Sequence, residues 1–99
     1  MAEVTLLGRA ENDLLRIYAE WESRAAGRGD AFSHEVERIL ALLTRLPRLG
    51  RIVGDPYRRM KLSRFSYSLI YTVAGERVFV QTIVSNFRSL DDILRELRR

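Results

Sequence analysis

The apolar residues of this chain follow a helical period in its first half and a strand period in its second. A short alternating run at Glu3–Leu6 predicts a first strand. Apolar residues then recur three or four positions apart, which predicts a helix that ends near the turn Gly27-Arg28-Gly29. The same spacing over 32–46 predicts a second helix, with Asp30 as its N-cap and Pro47 as its end. Two amphipathic helices joined by a short glycine turn indicate a helical hairpin.

The second half of the chain is predicted to form strands. Residues 47–56 are rich in proline and glycine and are predicted as a loop. Beyond them the apolar period shortens to two, which predicts strands over 57–63, 65–73 and 77–85. The middle strand alternates apolar with mostly hydroxyl side chains, so we expect it to be half exposed. The last strand is apolar on both faces, which is typical of a strand inside a sheet.

A capping-box spacing at residues 89–92 predicts the start of a short C-terminal helix. The predicted order is therefore β-α-α-β-β-β-α, an α+β fold in one domain over residues 1–99. We expect the helical hairpin to pack on one face of a small, mainly antiparallel, four-stranded sheet. Strand alternation puts Met60 and Leu62 on one face, so Arg59 and Lys61 share the other, which we expect to be open.

The composition excludes several classes of site. The chain has no cysteine and a single histidine, so it can form neither a disulfide nor a thiolate metal site, and we expect no metal and no cofactor. The N-terminus lacks the apolar run of a signal peptide, and no stretch approaches the roughly 18 apolar residues of a membrane span. We therefore expect a soluble, cytoplasmic protein without a membrane partner.

Positive charge is concentrated in one segment. Residues 45–64 hold seven bases and one acid, a net charge of +6, whereas the whole chain carries only +4. Such a segment is suited to an anionic partner. A group within it lies beside Tyr57, Tyr67 and Tyr71, which suits phosphates and stacked bases: Arg58, Arg59, Lys61 and Arg64. The alternative is a sheet face that is merely solvated by long side chains.

Several other side chains could in principle take part in catalysis or binding, but each has a simpler interpretation. Arg88 follows the last strand, where its side chain could turn back over the open sheet face, although arginines at strand ends are commonly just solvated. His34 is interpreted as a surface or packing residue, and Asp91 and Asp92 as acids that favour the first turn of a helix. The last helix has an apolar strip that could either close the core or bind another chain: Leu90, Ile93, Leu94 and Leu97.

Three segments together resemble the RelE/ParE toxin superfamily over nearly the whole chain. Residues 10–17, AENDLLRI, are similar to the first-helix pattern A-x-x-D-L-x-x-I of that family. Residues 43–50, LTRLPRLG, resemble its L-x-x-x-P-x-x-G end of the second helix. Residues 58–73, RRMKLSRFSYSLIYTV, are similar to its signature R-x-x-x-x-x-x-F-P-Y-x-x-x-Y-x-V.

The resemblance implies a growth-inhibiting toxin neutralised by a cognate antitoxin, whose C-terminal segment wraps the toxin. In the RelE branch, the open sheet face is a ribosome-dependent endoribonuclease site, which would make ribosome and messenger RNA the partners. Its site residues here would be Arg59, Lys61, Arg64, Tyr71 and Arg88. The ParE branch instead inhibits DNA gyrase. Whether the toxin forms a dimer or a larger toxin–antitoxin assembly stays open.

The end of the last strand favours the ParE branch. The family commonly has H-x-R-R or H-x-x-R there, whereas residues 85–88 read SNFR, and no tyrosine or histidine follows Arg88. RNA cleavage by 2′-hydroxyl attack needs a proton acceptor and a proton donor besides phosphate stabilisation. We therefore predict gyrase inhibition, with a RelE-like nuclease and a non-toxic interaction module as alternatives. The target or antitoxin is expected to bind the basic residues, Arg88 and the last helix.

Overall fold

Three helices and five strands make up the computed structural model, which describes residues 1–99. The first half comprises β1 (Glu3–Leu6), α1 (Gly8–Arg24) and α2 (Arg28–Arg45). The second half comprises β2 (Arg51–Gly54), β3 (Tyr57–Lys61), β4 (Tyr67–Ala74), β5 (Arg77–Ser85) and α3 (Leu90–Leu97). None of the three helices is both long enough and apolar enough to cross a membrane.

All five strands belong to one mixed sheet in the order β1-β5-β4-β3-β2. β1 runs parallel to β5, and the other neighbours are antiparallel, so the predicted α+β class and mainly antiparallel sheet are confirmed. The predicted count of four strands was wrong, because β2 was assigned to a loop. Its four residues are too few to show alternation, and the glycines around them indicated a turn.

The main core lies between the α1–α2 hairpin and one face of the sheet. Its aromatic centre is built by Phe32 of α2, which meets Phe65 and Tyr67 edge-on at centroid distances of 5.4 and 5.6 Å. The sheet contributes Leu69, Tyr71, Val78, Val80 and Ile83, and the hairpin contributes Ala10, Ile17, Val36, Ile39 and Leu43. Burial of this contiguous apolar surface is the main source of the stability of the hairpin on the sheet.

The opposite face of the sheet is partly covered by α3. Ile93 of this helix is buried against Ile70 and Val84, and burying such a side chain contributes about 1.5–3 kcal/mol. Ile70 is buried beneath Ile93, and Ser68 is buried beside Arg59 and Asn86, so β4 is not the half-exposed strand that its alternation predicted. The hydroxyl of Ser89 accepts a hydrogen bond from the backbone N–H of Asp92, as the capping-box spacing predicted.

The start of α2 is held by α1 rather than by the predicted N-cap. The Glu22 carboxylate accepts hydrogen bonds from the backbone N–H groups of Gly27 and Gly29, at 3.0 and 2.9 Å. Asp30 lies inside the first helical turn and accepts a hydrogen bond from the Tyr18 hydroxyl, which raises the pKa of that tyrosine. A Cβ at Gly29 would lie 2.8 Å from the Tyr18 carbonyl oxygen, so glycine permits this close approach of the helices.

The turn between β3 and β4 is anchored to the hairpin by Glu35. Its carboxylate accepts hydrogen bonds from the Ser63 backbone N–H, the Ser63 hydroxyl and, at 2.9 Å, the Arg64 backbone N–H. Burial alone would raise the pKa of Glu35, but these hydrogen bonds and the charge of Arg38 outweigh it and lower the pKa. Beyond this anchored turn, β4 begins at Tyr67 and not at the predicted residue 65.

We predict that Glu35→Ala lowers the free energy of unfolding by about 1–3 kcal/mol, because two backbone N–H groups lose their charged acceptor. Because the folded-state pKa is lowered, the stability that the charge contributes is present above the unfolded-state pKa and is lost as the pH falls through the folded-state value. Urea unfolding should therefore show a difference in the free energy of unfolding between wild type and Glu35→Gln at pH 7, and this difference should become smaller in acid. Glu37→Gln, on the exposed side of the same helix, is the control. A difference in the free energy of unfolding that stays constant down to pH 3 would contradict a stabilising role for the charge of Glu35.

Candidate functional site

Three cations meet on the sheet face opposite the hairpin and form what we call the basic hollow: Arg51, Arg59 and Lys61. They line a depression of about 280 Å³. Arg51 of β2 pairs directly with Arg59 of β3, and side chains of directly opposed residues lie on the same face. Lys61 joins them two residues further along β3. No acidic side chain lines the hollow, so it is suited to an anionic group.

Arg59 is held in position by two polar side chains. Its Nε donates a hydrogen bond to the Ser68 hydroxyl and its Nη2 donates one to the Asn86 side-chain oxygen, both at 3.0 Å. The Ser68 hydroxyl itself donates to Asn86 and so links the two acceptors. Burial, followed by the nearby charge of Arg51, lowers the pKa of Arg59. A bound anion would relieve that repulsion, and the guanidinium is already oriented before the anion arrives.

The other predicted basic residues lie outside the hollow. Arg58 alternates to the opposite side of β3 and donates hydrogen bonds to the carbonyls of Arg48 and Gly50, at 3.1 and 2.8 Å. Arg64 lies beyond the end of β3, next to His34 on the hairpin side. The four basic residues that lie within seven sequence positions are therefore found on different surfaces of the protein.

Tyr71 does not reach the basic hollow either. Its side chain is fully buried in the main core on the hairpin side of the sheet, and its hydroxyl accepts a hydrogen bond of 2.7 Å from the Gly50 backbone N–H. This burial raises the pKa of the Tyr71 hydroxyl. Tyr57 does share the face of Arg59, but its hydroxyl lies beneath α3, 3.5 Å from the Leu97 carbonyl oxygen. Neither tyrosine is placed for proton transfer in the hollow.

Arg88 is bound to α3 rather than free above the sheet. Glu96 of α3 forms ion pairs with both Arg88 and Arg9, so the end of β5, the last helix and α1 are joined. Hydrogen bonds from these two arginines lower the pKa of Glu96. In the apolar strip of α3, Ile93 and Leu94 are buried, whereas Leu90 and Leu97 are only partly covered. The helix therefore closes a second core with part of the strip.

Sequence reasoning missed Arg51, Ser68 and Asn86 as members of this site. Arg51 was counted within the basic segment, but its position opposite Arg59 depends on a strand that was not predicted. Ser68 and Asn86 carried no chemical signal by themselves, since they act only by orienting Arg59. Placing β2 as an edge strand would have revealed the first of these residues.

Comparison with known proteins identifies one family. The model of the family described as "ParE toxin of type II toxin-antitoxin system, parDE" matches residues 4–88. A comparison with curated protein sequences gave no significant match.

Three solved structures share the fold at low sequence identity. The chain is similar to one from the chromosomal ParDE system of P. aeruginosa, with a TM-score of 0.65 and 20% identity over 86% of this chain and 96% of that one. It is similar to the isolated E. coli RelE toxin, with a TM-score of 0.63 and 20% identity over 99% and 98% of the two chains. It is also similar to a chain of the intact E. coli RelBE toxin–antitoxin complex, with a TM-score of 0.63 and 22% identity over 89% and 100%.

The buried Tyr71 hydroxyl is predicted to be structural. Tyr71→Phe should lower the free energy of unfolding by about 1–3 kcal/mol, because the buried Gly50 N–H loses its acceptor. Chemical denaturation measures this loss. Tyr67→Phe is the control, since the Tyr67 ring packs against the same core and its hydroxyl makes no comparable bond to the loop. Equal stabilities of the two variants would show that the Tyr71–Gly50 hydrogen bond contributes nothing.

Proposed function

Because this chain belongs to the ParE toxin family of type II toxin–antitoxin systems, we propose that it inhibits bacterial growth by binding DNA gyrase. We propose further that it acts in the cytoplasm and is neutralised by an antitoxin encoded beside it. The family model over residues 4–88 supports the toxin assignment, and the fold similarity to a ParDE system agrees with it.

The composition of the basic hollow is the observation that carries the choice of gyrase. Of the side chains that could transfer a proton, only Lys61 lies in the hollow, whereas Tyr71 and His34 lie on the hairpin side of the molecule. A positioned general acid or base typically contributes about 10² to 10⁴-fold in rate. A surface that lacks a second proton-transfer group beside Lys61 would therefore be a poor nuclease, while binding to a protein target requires no proton transfer.

A RelE-like messenger RNA endoribonuclease is the alternative function. The orientation of Arg59 by Ser68 and Asn86 favours it, because a preorganised guanidinium can stabilise a phosphate as its charge develops. The likeness to the RelE toxin, at 20% identity, concerns the fold and does not select this chemistry.

We predict that expression of the chain alone arrests growth and that co-expression of the neighbouring antitoxin restores it. The measurement is the growth curve after induction, with immunoblotting to establish that soluble protein is present. Normal growth at confirmed expression would exclude a toxin.

A paired assay on one preparation should separate the two targets. We expect the purified chain to block supercoiling by gyrase and to leave messenger RNA intact in a translating extract. Arg59→Ala combined with Lys61→Ala should weaken the inhibition, because the basic hollow loses two of its three cations. Arg24→Ala with Arg77→Ala, two exposed arginines outside both the hollow and α3, is the control of equal charge. Codon-specific RNA cleavage with unaffected gyrase would assign the chain to the alternative.

The antitoxin is predicted to cover Arg59, Lys61 and the outer side of α3. Charge reversal to Arg59→Glu with Lys61→Glu should weaken the toxin–antitoxin complex, and the loss should be larger at low salt, where charges are less screened. Titration calorimetry over a salt series measures the affinity, and charge reversal at Arg24 and Arg77, both outside the predicted interface, is the control. An affinity that does not change at any salt concentration would place the complex on another surface.

A further inference from the structure

A second depression lies at the end of the sheet where β4 begins and β5 ends, and it has no part in the site described above. We call it the aromatic hollow, and it has a volume of about 300 Å³. Its lining includes four rings and one cation, and no acidic side chain: Trp21, Phe65, Tyr67, Phe87 and Arg64. Phe87 is 87% exposed and is the one fully exposed aromatic side chain of the protein. Apolar rings that lie together in an open hollow mark a ligand or interaction site.

The exposed ring of Phe87 is presented by ordered backbone. The Asn86 backbone N–H donates a hydrogen bond of 2.8 Å to the Ser66 carbonyl oxygen, which ties the end of β5 to the β3–β4 turn. The Phe87 backbone N–H donates one of 3.2 Å to the Ser85 hydroxyl, and the Arg88 backbone N–H donates one to the Ser85 carbonyl oxygen. Phe87 is therefore fixed at the rim of the hollow by hydrogen bonds on both sides.

Guanidinium groups accompany these rings. Arg28 of α2 lies over both Trp21 and Phe65, with its Cζ 5.0 and 5.1 Å from the two ring centroids. Arg64 lines the aromatic hollow and also an adjoining depression that contains Arg38. Arg28, Arg38 and Arg64 are exposed, and none of them forms an ion pair within the chain. The surface therefore offers three free cations beside a cluster of rings.

The combination of rings and cations selects the occupant. Glu35 is the one acid that lines either depression, and its carboxylate is bound to the β3–β4 turn. A second copy of the chain would place arginine against arginine, which opposes self-association. An acidic protein segment could meet the charge but would bring no flat group for the rings. An unpaired nucleotide carries in one unit a phosphate and a flat base, which stacks on an aromatic ring or a guanidinium plane.

We infer that the aromatic hollow binds an unpaired segment of DNA, with a base stacked on Phe87 and phosphates held by Arg64 and Arg38. The choice of DNA rests on the proposed function, since gyrase acts on DNA. The aromatic hollow and the basic hollow are linked through consecutive residues, because the Asn86 side chain holds Arg59 while Phe87 lies at the rim of the aromatic hollow. The protein would therefore contact its target and the DNA through adjoining surfaces.

Fluorescence of Trp21, the only tryptophan of the chain, reports on this hollow. Single-stranded oligothymidylate should quench it on binding, and duplex DNA of the same length should bind more weakly, because its bases are already stacked. Phe87→Ala should raise the Kd about 5- to 150-fold through the loss of one stacked base, whereas Phe87→Tyr keeps the ring and should bind like wild type. Leu15→Ala is the control, since Leu15 is 68% exposed on α1 and outside the hollow.

A salt series tests the phosphate contacts. Arg38→Ala with Arg64→Ala should weaken binding and should lower the slope of log Kd against log salt by about 0.7 for each phosphate contact that is lost. Arg77→Ala with Arg99→Ala is the control of equal charge, because both arginines are exposed and line neither depression. Thermal unfolding of each variant establishes that it is folded.

Absence of quenching, equal affinity for duplex DNA, or unchanged affinity of Phe87→Ala would each overturn the proposal. Tighter binding of oligouridylate than of oligothymidylate would overturn the choice of DNA and assign the hollow to RNA. Loss of gyrase inhibition in Phe87→Ala with unchanged oligonucleotide affinity would assign the hollow to a protein contact instead. A chain that binds oligothymidylate through this hollow yet neither arrests growth nor inhibits gyrase would remove only the proposed function.

Discussion

The buried hydrogen bond from the Gly50 backbone N–H to the Tyr71 hydroxyl determines where β2 meets the sheet. Tyr71 is fixed by the packing of the main core, so its hydroxyl is a stationary acceptor within the fold. The residue after Gly50 is Arg51, which the bond places opposite Arg59, and the residue before it is Leu49, which is left at the surface. Both the basic hollow and the exposed position of Leu49 thus depend on one interaction between a loop and the core.

The two faces of the sheet differ in what covers them: one is packed against the hairpin, and the other is only partly covered and carries the basic hollow. The hairpin covers one face completely and supplies most of the apolar burial, while α3 covers only part of the other through Ile93 and Leu94. What α3 leaves uncovered is the surface of Arg51, Arg59 and Lys61. Like charges placed this close repel one another, and the pKa of Arg59 is lowered in part by Arg51. Such an arrangement costs stability in the free protein, and a bound anion would offset that cost.

The elements that sequence reasoning predicted correctly are those with long periodic patterns. Both hairpin helices and β5 follow from residue spacing alone, because each helix buries one continuous apolar face and β5 is apolar on both faces. The same spacing correctly predicts which side chains of β3 share a face. The errors occur where a distant residue determines local structure: Glu22 of α1 displaces Asp30 as the cap of α2, and Arg59 and Asn86 contact Ser68, which alternation had placed in solvent. The basic cluster divided for the same reason, since closeness in sequence does not decide which face of a strand a side chain occupies.

A catalytic site and a binding surface differ most in how much activity each loses when one functional side chain is missing. A nuclease needs a base, an acid and phosphate stabilisation in one place, and the loss of either proton-transfer group reduces its rate by orders of magnitude. A binding surface needs complementary charge and shape, and its cations contribute separately when they are far enough apart. On this sheet face, hydrogen bonds to Ser68 and Asn86 orient Arg59. Tyr57 lies on the same face, but its hydroxyl is directed to the Leu97 carbonyl oxygen beneath α3. The geometry therefore preorganises one guanidinium for holding an anion, and Lys61 is the one side chain of the hollow that could also transfer a proton.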